Sequence, residues 1–381
     1  MYLSENLYFD NAATTPLDTS VLEEMLPYFN AQFGNASSIH SFGRAARSAV
    51  ERARKKVADI LQCSPSEIFF TSCATEADNL AIKSAVRSLG LKNVISTQIE
   101  HHAVLHSIDE LVNNNEVAAH YLTLNEKGEF DFDELNQLLN AHPQALVSLM
   151  HANNEIGNVY DIVKIGNICN EHNAIFHSDT VQTMGHFEFN LAKMPINFVV
   201  GSAHKFHGPK GIGFIYVKGG TKIKPYITGG AQERNMRAGT ENVAGIVGLA
   251  KALEISNQNR EANQQHIKSL KTKCLHHLVN NFKDIKFNGL SGDIDKSLHH
   301  IINIGLPLNE MSEMLLMNFD IEKIAISGGS ACTSGAVQMS HVLQAISVDE
   351  NTTALRISFS KMNTLHEVEK LLSVIDKLIQ K

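Results

Sequence analysis

Two spacings of apolar residues alternate along the chain. From Arg44 to Leu61, the residues Ala46, Ala49, Val50, Ala53, Val57, Ile60 and Leu61 share one helical face, with Arg47, Glu51, Arg54 and Lys55 on the other. That is the three-to-four spacing of an amphipathic helix. Thr75 to Val86 and Asp161 to His172 read the same way. Between these stretches lie short apolar runs: Ile68–Thr71, Val94–Ser96, Ala145–Met150, Ala174–His177, Phe198–Gly201 and Gly213–Val217. Continuous apolar runs of strand length suit strands buried on both faces. Strands alternating with helices predict an α/β fold with a mostly parallel sheet covered on both sides.

The pattern changes after about Leu253. Ile255 to Asn281 is one long polar helical stretch, followed by Ile285–Phe287, a loop, His300–Ile304 and a helical end at Val368–Leu378. A smaller α+β domain is therefore expected from about residue 257 to the carboxyl end.

Composition adds exclusions. Hydrophobic residues are 43% and charged residues 19% of the 381, which fits a folded globular chain. The net charge of −7 argues against nucleic-acid affinity, which needs a basic face. Met1 to Phe9 lacks a basic start and an apolar run, so it is not read as a signal peptide. No stretch reaches the 18 or so apolar residues of a membrane span. A cytoplasmic location, without membrane partners, is the expectation. Cys63, Cys73, Cys169, Cys274 and Cys332 are widely spaced, odd in number and form no C-x-x-C. That fits reduced thiols, with room for one reactive one.

Ligands of open α/β sheets bind outside the carboxyl ends of the strands, and four predicted strand ends carry unusual residues. Thr71–Ala77 is a small-residue turn opening a helix, where free N–H groups can hold an anion; by itself it reads better as an ordinary Ser/Thr cap with a capping acid. Glu100-His101-His102 follows the second strand. Asp179 ends Phe176-His177-Ser178-Asp179, an expensive place for an acid without a positive partner. Ser202, His204 and Lys205 stand together after a buried strand. A lysine, an acid and an anion site match the needs of pyridoxal 5′-phosphate (PLP). No metal site is expected.

The motifs then show a resemblance. Asp10-Asn11-Ala12-Ala13-Thr14-Thr15-Pro16, Gly34–His40, Ala74–Asn79, His151–Gly157, Ser202–Lys205, Arg237–Asn242 and Gly329–Gly335 occur in the order and spacing of the PLP-dependent cysteine desulfurases of the NifS/IscS type, within the class-V aminotransferases of fold type I. The resemblance implies a large domain, residues 15–256, with a mostly parallel seven-stranded sheet. Residues 1–14 and 257–381 would form the small domain that carries the catalytic-cysteine loop. It implies conversion of L-cysteine to L-alanine, with the sulfur held as a persulfide on Cys332 and passed to an acceptor scaffold protein for iron–sulfur cluster assembly or thiolation. Lys205 would bind PLP covalently and move protons. Asp179 would pair with the pyridinium nitrogen, His101 would stack on the ring and assist proton transfer, and Gln182 would bond the phenolic oxygen. Ala74, Thr75, Ser202 and His204 would hold the phosphate, joined by Thr240 from a second subunit, so a homodimer is implied. Asn154 and Arg356 would bind the substrate carboxylate, the arginine through a bidentate pair.

Cys332 lies in a segment with three glycines, which suits an accessible loop, as a thiol nucleophile requires. The sequence departs from the family pattern at Cys73, Ala36, Met339, Phe359-Ser360-Lys361 and Asn309–Glu313. None of these removes a catalytic group. A selenocysteine lyase of the same fold remains compatible with the same residues. An aminotransferase is disfavoured, because it has no use for a thiol in a loop, and a non-catalytic relative is disfavoured because every catalytic position is filled.

Overall fold

The structure, a computed structural model, describes residues 6–308, 312–328 and 339–379. A seven-stranded sheet forms its centre, in the order Ile68–Thr71, Gly213–Val217, Phe198–Ser202, Ile175–Asp179, Ala145–Ser148, Asn93–Ser96 and Ala118–Tyr121. Neighbours are parallel except around Gly213–Val217, which runs antiparallel to both Ile68–Thr71 and Phe198–Ser202. The mostly parallel sheet expected from the alternating pattern is therefore present, with one reversed strand set inside it. Ile68–Thr71, next to that strand, recovers the common direction and ends at the same edge as the others.

Helices cover both faces, and local chemistry fixes their ends. Ser41–Leu61 starts where His40 Nδ1 accepts the Gly43 N–H and stops at Gln62, which is left-handed at φ 53°. Ala74–Leu89 stops at left-handed Gly90. Ile162–Glu171 starts at Asp161, whose carboxylate takes the N–H groups of Val163 and Lys164. The strands from Ala145 to Val217 are almost entirely buried, as continuous apolar runs require.

Three local expectations are corrected. Ala118–Tyr121 is a strand that its mixed Ala-Ala-His-Tyr sequence conceals; it sits half exposed at the sheet edge. The stretch Ile255–Asn281 is two helices, Val243–Gln258 and Arg260–Asn281, broken at Asn259. Arg54, assigned to the polar face of its helix, is buried, because Glu233 comes from a distant loop to meet it.

A second sheet is antiparallel, in the order Ser327–Gly328, Thr352–Ser358, Ile301–Pro307 and Lys286–Phe287. It shares a core with Arg260–Asn281 and Leu365–Ile379, built from Leu270, Leu278, Ile302, Ile357 and Leu371 among others. Phe9 belongs to this core as well. Leu7–Tyr8 pairs in parallel with Ile324–Ala325, and Asp10 bridges to Ser358. The chain from Leu7 to Thr15 thus starts in the second core and crosses to the main sheet, where Thr15 N bonds the His204 carbonyl at 2.9 Å. No described helix is long and apolar enough to cross a membrane.

Candidate active site

The carboxyl ends of the central strands share one edge with the start of helix Ala74–Leu89. The crossing segment at Ala12–Ala13 closes one side, and Arg356 of the second sheet closes another. The result is a cavity of ≈ 370 Å³ lined by Ala74, Thr75, His101, Asn154, Asp179, Gln182, Ser202, His204, Lys205 and Arg356, with Cys73, Asp78 and Met150 among the others. Ten of the residues singled out from the sequence therefore meet around one space.

Lys205 sits in a short 3-10 turn directly after the strand Phe198–Ser202. Its Nζ donates to the Ala12 and Ala13 carbonyls, at 2.5 and 2.9 Å. Burial, reinforced by the nearby Arg356 charge, pushes its ammonium down to about 8. The amine is thus held within reach of its neutral, nucleophilic form.

Asp179 ends its strand nearly buried and accepts the Val181 N–H at 2.9 Å. Burial pushes its carboxyl up, against the opposing pull of His101, the Val181 N–H and Lys205. His101 caps the helix His102–Asn113, its Nδ1 accepting the Ala103 N–H at 3.1 Å. That acceptor role places the proton of the neutral ring on Nε2. Burial pushes the imidazole below its ordinary range, so the ring is neutral at physiological pH.

The first turn of Ala74–Leu89 is open. Cys73 stands at the cap position and makes no side-chain cap, so the first N–H groups are not claimed there. Glu76, the acid of that first turn, is bonded instead to Ser72 and to Arg237. An uncapped first turn of a 16-residue helix beside a polar cavity has the free N–H groups and the dipole that an anion needs. His204 Nδ1 contacts Thr14 Oγ1 at 3.1 Å, and burial pushes its ring down to about 4. His204 can therefore offer an anion only a neutral hydrogen bond.

Gln182 donates from Nε2 to the Ala12 carbonyl at 3.0 Å. Arg356 donates from Nη1 to the Asn154 carbonyl at 2.9 Å and from Nη2 to Asp10 at 2.8 Å. Its Nε is buried with no partner.

Sequence reasoning missed Asp78. It projects from the buried face of Ala74–Leu89, 1% exposed, and neither of its carboxyl oxygens has a hydrogen-bond partner. Oδ1 lies 3.3 Å from His177 Nε2, without hydrogen-bonding geometry. The two are not an ion pair: burial pushes His177 down to about 3 and Asp78 well up, with Asp179 and Glu100 adding repulsion. The only signal in the sequence was a polar residue within an apolar helical stripe.

Thr240 lies apart from this cavity, in a neighbouring pocket with Ser72, Arg237 and Asn242. Cys332 lies outside the described residues. The four described cysteines are free thiols. Cys63, Cys169 and Cys274 are each pushed up to about 12, chiefly by burial, and so are inert.

Known proteins resemble this chain over nearly its whole length. A relative from Bacillus subtilis (strain 168), named "Putative cysteine desulfurase IscS 1", is 41% identical over 96% of this chain and 96% of its own. "Cysteine desulfurase IscS" of Methanosarcina thermophila is 41% identical over 98% of this chain and 92% of its own. A solved structure titled "NIFS-LIKE PROTEIN" superposes with a TM-score of 0.90 at 36% identity, covering 98% of this chain and 99% of that one. Another, titled "SspA in complex with cysteine", superposes with a TM-score of 0.80 at 31% identity, over 94% and 100% of the two chains. The aminotransferase class-V family model matches residues 7–371, and with that match this chain belongs to the class-V aminotransferase family.

Proposed function

We infer that the protein is a PLP-dependent cysteine desulfurase. It would convert L-cysteine to L-alanine and pass the sulfur to Cys332 for delivery to an acceptor protein. The observation that carries this reading is the convergence of Lys205, Asp179, His101 and Arg356 on one cavity that also holds an uncapped helix start. The relatives' names supply the substrate class.

The cavity's donor set fits PLP: a poised amine, a buried acid able to answer a ring cation, and free N–H groups for a phosphate. Bound there, the cofactor supplies an electron sink. Lys205 would anchor it and, when released, carry a proton between its Nζ and the substrate. Asp179 would be held as a carboxylate by the positive ring nitrogen. His101 would hold a proton at Nε2, because its Nδ1 is engaged with Ala103. Thr75, Ser202, His204 and the Ala74 N–H would hold the phosphate. Arg356 would orient the substrate carboxylate through a bidentate pair, beside Asn154. Cys332 would then attack the substrate sulfur as a thiolate: the S–S bond would form as the substrate's Cβ–S bond breaks, the electron pair of that bond would stay with the carbon and take a proton to complete alanine, and Cys332 would keep the sulfur as a persulfide.

A homodimer is part of this reading. Leu22, Leu26, Phe29, Phe33, Ile39 and Phe42 are exposed, Ile39 by 90%. That much contiguous sequence with apolar side chains in water suits a subunit interface. The segment adjoins the loop that carries Thr240, with Gln232 Nε2 3.4 Å from Ser37 Oγ. Thr240, outside its own chain's cavity, would reach the partner's phosphate site. The small unit would comprise residues 1–14 and 257–381 and carry the Cys332 segment. A cytoplasmic setting suits the free thiols.

The test is direct. Purified protein should be yellow and release alanine and sulfide from cysteine with a reductant. Cys332→Ser should keep the colour and lose sulfide release, while Lys205→Ala should lose the colour. Full activity in Cys332→Ser would overturn the persulfide route, and failure to bind PLP would overturn the whole reading.

A further inference from the structure

We propose that His186, His299 and His300 form a site for one divalent transition-metal ion of borderline softness, such as Zn²⁺ or Ni²⁺. The site is separate from the cofactor cavity and bridges the two cores of the protein. Each histidine offers one ring nitrogen, and these nitrogens lie within 4.8 Å of one another. His186 lies in the turn after Asp179 on the main sheet, whereas His299 and His300 lead into the strand Ile301–Pro307 of the second sheet. An ion held by all three would tie one unit to the other.

Hydrogen bonding fixes where the lone pairs are. Gln182 donates its amide to the Ala12 carbonyl, which leaves its Oε1 as the acceptor. His300 Nε2 faces that oxygen at 3.5 Å and so carries the proton, which leaves Nδ1 as a bare lone pair. His300 is 3% exposed, and its Nδ1 has no partner. His299, 8% exposed, has an unpartnered Nε2. One nitrogen of His186 is engaged with the Lys205 carbonyl, leaving the other. Buried polar atoms are rarely left unpaired, and two in one histidine cluster point to a missing ligand. The Gln182 contact is also the kind of outer bond that orients a metal-bound imidazole.

All three rings are neutral at physiological pH, as metal ligation requires. Burial pushes His186 down to about 4 and His299 to about 3, and lowers His300 strongly. The positive groups that act on the cluster are Lys271, Lys268 and Lys205. Lys271 is buried against Ser297 Oγ and the Leu298 carbonyl and is itself pushed down to about 7, which weakens its opposition to a cation. In the described arrangement His186 and His300 are stacked, 4.6 Å apart at 20°. Binding therefore requires one of these rings to turn so that both lone pairs meet the ion. Nitrogen donors without carboxylates select a borderline transition ion over Mg²⁺ or Ca²⁺, and water would complete a tetrahedron.

The test uses the PLP-loaded protein, stripped with a chelator and titrated with Zn²⁺ and with Co²⁺. We expect one equivalent per chain, a rise in melting temperature, and cobalt bands without a thiolate charge-transfer feature. His299→Asn and His300→Asn should each weaken binding at least tenfold. His102→Asn with His106→Asn, in a different histidine cluster, should leave binding unchanged. The proposal is overturned if the unaltered protein binds no equivalent, if the cobalt spectrum shows a cysteine ligand, or if the triple variant His186→Asn/His299→Asn/His300→Asn binds as well as the unaltered protein. Titration of the unaltered protein decides the matter even if the variants fold poorly.

Discussion

Arg54 grips Glu233 with both Nη atoms, at 2.7 and 2.9 Å, and both side chains are out of water. The same carboxylate accepts the Phe70 N–H at 2.7 Å, and Arg54 also donates to the Ile68 carbonyl. The pair holds Glu233, Arg234 and Asn235 in three consecutive left-handed conformations, with φ of 43°, 57° and 66°. Such backbone persists only where surrounding contacts enforce it. Arg54→Ala leaves a buried carboxylate without its partner and should cost about 3–5 kcal/mol by chemical denaturation. Glu233→Ala added to it should cost much less than Glu233→Ala alone. Two fully additive penalties would show that the residues do not act as a pair.

Lys205, pushed down to about 8, predicts the pH dependence of cofactor capture. Cofactor-free protein mixed with PLP should bind it faster as pH rises, levelling off just above pH 8. An ordinary lysine would keep accelerating past pH 10. Because the Arg356 charge contributes to the depression, Arg356→Ala should move the midpoint upward. Stopped-flow absorbance reads both, and a midpoint that ignores Arg356 would remove the charge from the explanation.

Asp78 predicts a stability profile. Its carboxyl is pushed well up in the fold, so the folded state keeps a proton that the unfolded chain releases above about pH 4. Folding then binds more protons than unfolding, and stability of the cofactor-free protein falls as pH rises above that point, by up to about 1.4 kcal/mol per pH unit for one group. Asp78→Asn should flatten the fall and stabilise the cofactor-free protein at neutral pH. Denaturation midpoints across pH 4–8 measure it, and an unchanged slope would assign the proton elsewhere.

The proposed contribution of Thr240 to a partner subunit's site predicts complementation. Lys205→Ala and Thr240→Ala should each be impaired alone, the threonine variant through weaker PLP retention. Co-expressed, the mixed dimer should regain one native site, with Lys205 from one chain and Thr240 from the other. If Thr240 served its own chain, the mixture would show no recovery.

Much of this was legible from residue order. Apolar runs marked the buried strands, and the polar residues at their ends marked the cavity, because a charged side chain there has few structural uses. Contacts made at a distance were not legible. Arg54 looked solvated because its helix is amphipathic, and only the fold brings Glu233 to it. Asp78 is one polar residue in an apolar stripe, and only the fold shows it sealed beside His177 without a hydrogen bond. Ala118–Tyr121 escaped because an edge strand need not be apolar. The histidine cluster could not be read at all, since residues 186 and 299 are far apart in sequence and meet only across two cores.

The segment from Leu7 to Thr15 pairs with Ile324–Ala325 at one end and presents the Ala12 and Ala13 carbonyls to Lys205 at the other. Gln182 and His204 lean on the same few residues. Trimming the chain to residue 16 would therefore act as an active-site lesion: it would strip the carbonyls from the lysine, the Asp10 partner from Arg356 and a strand from the second core in one cut. A tag or fusion that pulls on this end would disturb the second core and the lysine's surroundings together, because one short segment serves both.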